Sequence, residues 1–508
     1  MMDKLNIRIS WSGVVFILSL FYMSSTVTIT VFMPQIAYYL LPTNIIPVAL
    51  IIYNLRRPKV PSIESLLTEG VSDISLYKHY VLSYPAYKYV DIFQSVKTFS
   101  ELYPDTVSLE SSHPEDLASL LNGNYYIMGS GNLESPQTLA WPVDYHEEGF
   151  FPQDVFYVVQ PEFTDEETGE TTTETIFLRV RYLAGSMETM FEISATGDSI
   201  ASLVKLAINE YSKSNSIYKN KVLEVDYEKE IRDDPGDVEL GGLLNIRFKS
   251  ISSVADEDIV MDPEIEEILQ RNIIDFHNNR DELVEHGVPA KKAILFYGPS
   301  GTGKTFTCHY IHTKLEDITT IVVTGSSLIR VRSICNLAYI LQPSLVIFED
   351  VDLVFSSREM NMYSSALGDF MDELDGFQKD NAVTFILTTN SIERLEPAIR
   401  DRPGRISQCL YFGLPDENSR RSFIRRYLQP YSVSDLNIEE LVQKTRGVTQ
   451  AFMKELIYRA VQMAVMEKNY EMDTIKLCDR HFDKGLTEII QYDNDSAKII
   501  LGYQKDIL

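Results

Sequence analysis

Hydrophobic and polar positions follow a different pattern near the start of the chain than in the rest of it. Residues 9–55 form a run of 47 positions without an Asp, Glu, Lys or Arg. A helix needs about 20 apolar residues to cross a bilayer. The run therefore predicts two membrane-spanning helices, Trp11–Met33 and Ile36–Tyr53, in an N-terminal anchor that comprises residues 1–59. Basic residues flank both outer ends, which favours a hairpin with both ends on the cytoplasmic side.

Two other interpretations of this segment stay open. Hydroxyl side chains between Ser24 and Thr30 make the first stretch mildly polar, and Pro42 and Pro47 interrupt the second. One true span followed by an interfacial segment is therefore an alternative to the hairpin. A cleaved signal peptide is a weaker alternative because no small-residue cleavage site closes a short apolar core. We expect a protein that is located at a membrane.

Residues 60–250 mix helical and strand-like patterns and contain no catalytic motif, which predicts an α+β middle domain. An acidic segment between two strand-like runs predicts a solvated loop, with partner docking as the alternative. The predicted elements are helices at 86–102 and 198–213, a strand hairpin at 155–160 and 175–183, and a linker at 224–242.

Charge and cysteine content narrow the possible classes of function. The 508 residues include 73 acidic and 46 basic side chains, which gives a net charge of -27. A surface this acidic repels a phosphate backbone and argues against a protein that acts on nucleic acid. The four cysteines lie far apart without C-x-x-C spacing. This excludes a disulfide scaffold and a zinc ribbon, and it indicates a reducing, cytosol-like compartment for the bulk of the chain.

A glycine-rich segment that follows a short apolar run predicts a phosphate-binding loop. Strand-like residues 293–297 lead into GPSGTGKT, and a helical pattern continues to residue 315. This matches G-x-x-x-x-G-K-[ST] in its required strand–loop–helix setting, whereas the alternative is a chance glycine-rich turn. In such a loop backbone N–H groups face the phosphates, the lysine neutralises the β- and γ-phosphates, and the hydroxyl binds Mg²⁺. The candidate nucleotide-binding residues are Gly298, Pro299, Ser300, Gly301, Thr302, Gly303, Lys304, Thr305 and Phe306.

Two more apolar runs end in side chains that are suited to hydrolysis of a bound nucleotide. Residues 344–348 are followed by Glu349 and Asp350, and residues 383–387 lead to Asn390. One acidic residue at such a strand end can hold Mg²⁺, its neighbour can polarise the attacking water, and the amide can orient that water. The alternatives are solvated charges at a strand end and a turn asparagine.

Two arginines, Arg402 and Arg405, flank a Pro-Gly turn. Arginines on a tight turn project from a surface, and in a ring of subunits they can reach the γ-phosphate of a neighbour. There they would stabilise the charge of the transition state. Ion pairing within one subunit is the alternative.

The ordered motifs GPSGTGKT, LVIFEDVD, LDGF, LTTN, DRPGR and GLPDE resemble the AAA ATPase module over residues 251–490. The resemblance implies a P-loop α/β core with a parallel sheet and flanking helices at 251–414, then a helical lid and tail at 415–508. It implies a ring, commonly hexameric, that uses ATP and Mg²⁺ to act on a macromolecule. By matching of motifs, Asn390 corresponds to the sensor asparagine and Arg402 with Arg405 to the arginine fingers. Ile259 falls where the adenine pocket begins, and residues 447–451 match the second sensor turn.

The chain departs from the family pattern in three places. Most members have Asp-Glu where this chain has Glu349-Asp350; by register Glu349 is the Mg²⁺ ligand, together with Thr305, and Asp350 is the catalytic base. The stretch 326–332 lacks the aromatic pore loop of threading unfoldases. No H-E-x-x-H occurs, so the family's membrane proteases are not close functional relatives. The inverted pair, the short loop and the anchor are similar to the mitochondrial AAA ATPases that translocate the Rieske iron–sulfur protein in complex III assembly.

Together these patterns predict a membrane-anchored AAA ATPase that forms a homo-oligomeric ring and remodels, translocates or disassembles a protein client. Two other hypotheses stay open. A nucleotide-gated membrane scaffold with little turnover fits the inverted acidic pair. A DNA-directed loader or helicase is opposed by the net charge of -27 and by the anchor.

Overall fold

The middle region of the chain is built on a five-stranded antiparallel sheet in the strand order β1-β9-β8-β5-β2. The computed structural model describes residues 74–103, 106–110, 117–118, 138–164, 171–228, 243–353, 370, 372–373, 381–395, 406–471 and 474–490. Two small two-stranded sheets, β3-β4 and β6-β7, accompany the main one. The strands are β1 (Lys78–Pro85), β2 (Val107–Glu110), β3 (Thr138–Asp144), β4 (Glu147–Pro152), β5 (Asp154–Val159), β6 (Glu162–Thr164), β7 (Thr171–Thr173), β8 (Ile176–Leu183) and β9 (Glu188–Ala195).

One face of this sheet is apolar and packs against two helices. These are α1 (Tyr89–Glu101) and α2 (Asp198–Ser214). Because side chains alternate along a strand, Ile176, Leu178 and Val180 of β8 all join the core beneath the helices. The predicted hairpin and both predicted helices are confirmed: β5 pairs antiparallel with β8, and the helices begin and end within three residues of the expected positions.

The opposite face of the same sheet contains a buried ionic network. Arg179, fully buried on β8, donates from Nε and Nη2 to the two carboxylate oxygens of Asp154 at 2.9 and 2.7 Å. Its guanidinium carbon lies 4.4 Å from the centre of the Phe156 ring. Glu192 on β9 is 3.6 Å from Arg179 and 3.2 Å from Arg181. Each buried charge therefore has an opposite charge beside it.

The second main sheet has seven strands in the order β11-β10-β13-β14-β15-β12-β16, and all neighbouring pairs except β10–β11 are parallel. Apolar side chains cover both faces, as the near-continuous hydrophobic runs predict. Leu295 packs in the core on one side, whereas Ile294 and Phe296 pack on the other. The strands are β10 (Val222–Glu228), β11 (Leu243–Phe248), β12 (Lys292–Tyr297), β13 (Thr319–Val323), β14 (Ser344–Phe348), β15 (Val383–Thr389) and β16 (Gln408–Tyr411). The expected parallel α/β core is confirmed.

The first two strands of this sheet come from residues that the sequence assigns to the middle domain and its linker. In β10, Leu223 and Val225 are fully buried and alternate with the acidic Glu224 and Asp226. This period of two is typical of a strand, but the high acid content of the segment predicts a solvated linker instead. The sheet therefore begins before residue 250, and only residues 229–242 of the predicted linker lie outside the described residues.

Helices flank the parallel sheet and form the lid. The sequence pattern at 264–280 predicts one helix, but the segment contains a π-helical turn, Gln270–Ile274, between two α-helices. Short 3₁₀ turns include Gly325–Arg330, where a pore loop would lie, and Val351–Leu353. The helices are α3 (Pro263–Leu269), α4 (Asp275–Asn278), α5 (Arg280–Glu285), α6 (Lys304–Lys314), α7 (Val331–Ile340), α8 (Glu417–Leu428), α9 (Ile438–Lys444), α10 (Gln450–Met466) and α11 (Asp479–Ile490).

The lid differs from its prediction at one element. The pattern from 473 to 490 predicts a single helix, but Thr474–Cys478 forms a strand, β19, and the helix begins at Asp479. β19 pairs with β17 (Ser432–Asp435) and β18 (Tyr470–Glu471). The β-branched residues Thr474 and Ile475 favour this strand.

The predicted membrane spans lie outside the described residues. Within the part of the chain that the structure covers, no helix combines the length and the apolar character that crossing a bilayer requires.

Candidate active site

The phosphate-binding loop connects β12 to α6 at the carboxyl edge of the parallel sheet. Two of its glycines are required by its shape. A side chain at Gly298, whose φ is 144°, would collide with the carbonyl oxygen of Phe412. Gly303 immediately precedes the helix with a φ of 95°, a conformation that L-residues with side chains rarely adopt. The loop therefore turns tightly enough to direct the start of α6 into the cavity.

Lys304 is the first residue of α6, and its ammonium group is buried at the centre of the loop. The Nζ atom donates to the carbonyl oxygens of Gly298 and Pro299 at 2.7 and 2.9 Å and to Oδ1 of Asn390 at 2.8 Å. Burial lowers the pKa of this ammonium group, while the nearby Asp350 carboxylate acts in the opposite direction. A positive charge is thus held where the motif requires phosphates to bind.

Asn390 connects this lysine to the acidic pair. It follows β15, and its Nδ2 donates to Oδ1 of Asp350 at 2.9 Å. The backbone N–H of Asp350 donates to Oγ1 of Thr388 at 3.1 Å, and Asp350 has a φ of 50°. Asp is one of the few residues with a side chain that visit this left-handed region. The ends of β14 and β15 therefore bring the predicted base and the predicted sensor into contact.

Asp352 supports this arrangement, although its sequence position alone assigned it no role. Its buried carboxylate accepts from Oγ1 of Thr389 at 2.8 Å and from the backbone N–H of Asn390 at 3.3 Å. These bonds fix the start of the segment that carries the Asn390 side chain. The acidic side chain two residues after Asp350 was the available signal, but its partner is on another strand.

The two predicted metal ligands suit Mg²⁺ by chemistry. Thr305, exposed in the first turn of α6, offers a hydroxyl, and Glu349 offers a carboxylate at the end of β14. Hard oxygen donors are those that Mg²⁺ prefers, usually with phosphate oxygens and water as further ligands. Burial, and after it the negative charge of Glu349, raises the pKa of the Cys308 thiol in α6. Across the described ranges no cluster of three His, Cys, Asp or Glu side chains could hold an ion by itself.

A cavity of about 600 Å³ lies between the phosphate loop and the lid. Thr305, Asp350 and Asn390 are among the residues that line it, whereas Glu349 is not. Ile259 and Val260 line it on one side, where the resemblance expects adenine, and Phe306 also lines it. Asp258, at the same side, forms an ion pair with Arg426 of α8. The cavity is large enough for one nucleotide and has an apolar end and a cationic end.

The lid contacts the phosphate loop through the start of α10. The backbone N–H of Ala451 donates to the carbonyl oxygen of Gly301 at 3.1 Å. Thr449 caps the helix by accepting from the N–H of Phe452 at 3.3 Å. Lys454, one turn further along, lines the cavity and was not predicted as a site residue. The second sensor turn therefore lies on the nucleotide site, with a lysine near Ala451.

The remaining predicted residues divide into two groups. Gly413, Leu414, Pro415 and Asp416 of the GLPDE motif line the cavity. Arg402, Arg405 and the LDGF motif lie outside the described residues.

Comparison with known proteins agrees with this geometry. Residues 294–414 match the family described as ATPase family associated with various cellular activities (AAA). Over 259 residues the chain is 27% identical to the ATP-dependent zinc metalloprotease FtsH 2 of Thermoanaerobacter. The aligned region covers 48% of this chain and 48% of that protein.

Two further relatives are ATPases or nucleotidases by name. The ATPase family gene 2 protein of Saccharomyces cerevisiae is 28% identical over 217 residues, 40% of this chain and 27% of that protein. The proteasome-activating nucleotidase of Methanocaldococcus jannaschii is 27% identical over 279 residues, 52% of this chain and 59% of that protein. The chain thus spans about half or less of two of these relatives and 59% of the third. Residues 294–414 belong to an AAA ATPase domain, an ATP hydrolase module that uses ATP with Mg²⁺.

Proposed function

We propose that this chain is a membrane-anchored AAA ATPase that couples ATP hydrolysis to remodelling, translocation or disassembly of a protein client. One observation carries the proposal: a continuous set of hydrogen bonds joins Lys304 of the phosphate loop, Asn390 and Asp350 inside the cavity. Such a set couples the group that binds phosphate to the group that activates water.

In this proposal Lys304 exchanges its bonds to the carbonyl oxygens of Gly298 and Pro299 for bonds to the β- and γ-phosphates. Thr305 and Glu349 would hold Mg²⁺, and a cation bound there would supply positive charge beside the phosphate oxygens. The loop N–H groups and the start of α6 add a favourable field for the same anion.

Asp350 is the proposed base, and it accepts a proton from the water that attacks the γ-phosphate. Asn390 orients Asp350 and the water, because its amide already donates to the Asp350 carboxylate at 2.9 Å. Asp352 acts as a positioning residue through its bonds to Thr389 and Asn390.

The proposed assembly is a homo-oligomeric ring in which Arg402 and Arg405 of one subunit complete the site of the next. A protein client is supported by one relative's name, proteasome-activating nucleotidase, which describes a nucleotide-driven action on a protein. The apolar run at 9–55 supports membrane anchoring, with the ATPase domain on the cytosol-like side. The net charge of -27 supports a partner other than nucleic acid.

The test is ATP hydrolysis by the full chain over a series of protein concentrations, beside the variants Lys304→Ala, Asp350→Asn and Arg402→Ala. We expect turnover per subunit to rise with concentration as rings form. Loss of the base is expected to lower kcat by about 10²- to 10⁴-fold while ATP still binds. Lys314→Ala, at the other end of α6, is the matched control and is expected to retain activity.

Other outcomes separate the alternatives. Nucleotide binding and nucleotide-dependent assembly without turnover in the parent protein would contradict the motor and favour the scaffold. Turnover that is lost only in Lys304→Ala would show that the base and finger assignments are wrong. Salt-sensitive binding of DNA would favour the loader.

A further inference from the structure

An ion pair joins the lid to the segment that lines the nucleotide cavity where the base is expected. This base-side segment comprises residues 254–260 and includes Ile259. The Oδ1 atom of Asp258 accepts a hydrogen bond from Nη2 of Arg426 in the lid helix α8, and Tyr427 of the same helix lines the cavity. The bond from Arg426 lowers the pKa of the Asp258 carboxyl, so that both partners are charged at neutral pH. The pair therefore connects two walls of the cavity.

The base-side segment is attached to the ATPase core as well as to the lid. The backbone N–H of Val254 donates to Oγ1 of Thr313 in α6 at 3.2 Å. The carboxylate of Asp256 pairs with Lys314, also in α6, at 2.5 Å. Val260, at the other end, packs against the apolar core of the lid. The segment thus runs from the helix that carries the phosphate-binding lysine to the lid.

Arg426 can act on a nucleotide only through its partner. Asp258 is among the residues that line the nucleotide cavity, whereas Arg426 is not. Both line a second cavity of about 450 Å³, together with His309 and Tyr458. The Arg426 and Asp258 side chains are 31% and 42% exposed, so water and salt reach the pair and can screen its charges.

The position of the pair has a consequence for nucleotide exchange. A base that contacts both walls is released when the walls separate, and this separation breaks the ion pair. Near the phosphates the lid is held separately, by the bond from the Ala451 N–H to the carbonyl oxygen of Gly301 at 3.1 Å. Exposed ion pairs stabilise only modestly, so the loss of this pair is expected to change the rate of release by about 2- to 5-fold.

We propose that Arg426 is a positioning residue that holds the lid against the base-side segment through Asp258 and thereby slows the release of nucleotide. This rests on the proposed function, since it requires that nucleotide occupy the cavity. It assigns the lid a second role beside completion of the site: the ion pair sets how long the product of hydrolysis stays bound.

The experiment measures the release of a fluorescent ADP analogue from the full chain after rapid mixing with excess unlabelled ADP and Mg²⁺. Asp258→Asn and Arg426→Gln each remove one charge of the pair and are expected to release ADP about 2- to 5-fold faster than the parent protein. The double variant is expected to match the single variants, because the same interaction is lost in all three. Arg426→Lys keeps the cation and is expected to stay closer to the parent than to Arg426→Gln.

Two control variants and a change of salt separate the pair from general effects. Asp256→Asn removes a neighbouring carboxylate that pairs with α6 instead of the lid, and release is expected to stay unchanged. Arg421→Gln is the control within α8, because Arg421 pairs with Glu439 inside the lid at 2.8 Å. An increase in ionic strength from about 0.05 M to about 0.5 M is expected to accelerate release from the parent and to affect the double variant less.

Several results would overturn the inference. Release at the parent rate in both Asp258→Asn and Arg426→Gln would show that the pair does not retain nucleotide. Faster release in Asp258→Asn alone would assign the effect to a direct contact of Asp258 with the nucleotide. Effects that multiply in the double variant would show that the two residues act independently. An equal acceleration in Asp256→Asn would indicate a general loosening of the segment. Absence of nucleotide binding to the parent protein would contradict the proposed function itself.

Discussion

The two main sheets of this protein differ in where along their strands the polar networks lie. In the antiparallel sheet of the middle region, Arg179 and Glu192 lie in mid-strand, are almost completely buried and neutralise each other and their neighbours. In the parallel sheet, β14 and β15 themselves contain no charged side chain, and Asp350 and Asn390 follow their carboxyl ends. Charge inside a strand is therefore used for structure, and charge beyond a strand end is available for chemistry.

The two networks also differ in whether a ligand can replace the present hydrogen-bond partners of their side chains. Arg179 already makes two hydrogen bonds to Asp154 and faces an aromatic ring, so any new partner would leave a buried charge unpaired. Lys304 and Asp350 border a cavity, where phosphate and water can replace their present partners. A network of ion pairs is thus a functional site only where an incoming group can compensate the bonds that it breaks.

The largest expected effect on stability comes from Arg179→Met. The substitution keeps much of the side-chain volume but removes the buried cation that pairs with Asp154, while Glu192 keeps Arg181. This is expected to lower the free energy of unfolding by about 3–5 kcal/mol. Urea denaturation of the full chain measures this loss. Affinity for ATP is expected to stay unchanged in the folded protein. A change in affinity of the same size as in Lys304→Ala would break the distinction between the two sheets.

The control for this prediction is Arg271→Met. Arg271 is exposed and lies 3.8 Å from Glu267 one turn earlier. Exposed pairs contribute about 0–1 kcal/mol. A loss in this variant comparable to that of Arg179→Met would show that burial is not the cause.

A smaller effect on stability, but a clear one on catalysis, is expected for Thr389→Val. Valine has the shape of threonine but cannot donate to the buried carboxylate of Asp352, a loss of about 1–3 kcal/mol. Because that carboxylate also holds the N–H of Asn390, kcat is expected to fall several-fold with little change in ATP affinity. Steady-state kinetics beside nucleotide binding measures the two separately.

Thr384→Val is the matched control for that substitution. It changes the same residue type near the opposite end of β15. Hydrolysis is expected to be unaffected. An equal loss of kcat in both variants would mean that β15 itself, rather than the bond to Asp352, determines the rate.

The smallest effect concerns His277, which is buried but belongs to neither network. Burial lowers the pKa of its imidazole, and Nε2 bonds to the carbonyl oxygen of Glu316 at 3.1 Å. As the pH falls, the imidazole therefore binds its proton at a higher pH in the unfolded chain than in the folded chain. The stability that the neutral ring contributes is complete above its unfolded pKa of about 6.5 and decreases as the pH falls below it.

Thermal unfolding between about pH 7.5 and about pH 5.5 tests this prediction. The parent protein is expected to lose more stability on acidification than His277→Gln does. His286→Gln, at an exposed position, is expected to follow the parent. Identical pH profiles for the parent and His277→Gln would contradict the assignment.

The sequence predicts the residues that would act on the nucleotide better than it predicts the residues that position them, for a physical reason. Asp350 and Asn390 come within two residues of the end of an apolar strand, and Lys304 ends the glycine-rich loop that follows another. Local spacing is therefore enough to place them at one edge of a parallel sheet. The bond between Asp352 and Thr389 joins residues 37 positions apart and leaves no local pattern.

The errors in the fold have a similar origin. The sequence predicts a linker at β10 because the acidic residues outweigh a period of two that becomes decisive only through pairing with β13. It predicts the start of a helix at Thr474–Cys478 because the strand partner of that segment, β17, lies about 40 residues earlier in the lid. In both places a long-range pairing determined the local structure.

The strand β10 has a mechanical consequence. It follows helix α2 of the middle region after a short segment, and its backbone bonds to β13 on one side and β11 on the other. In that short segment, the N–H of Ile217 and the hydroxyl of Ser216 donate to the buried carboxylate of Asp91 in α1 at 2.9 and 2.7 Å. The described residues of the junction are therefore bonded both to α1 and to the parallel sheet. A displacement of the parallel sheet is therefore expected to be transmitted to the middle region through these bonds.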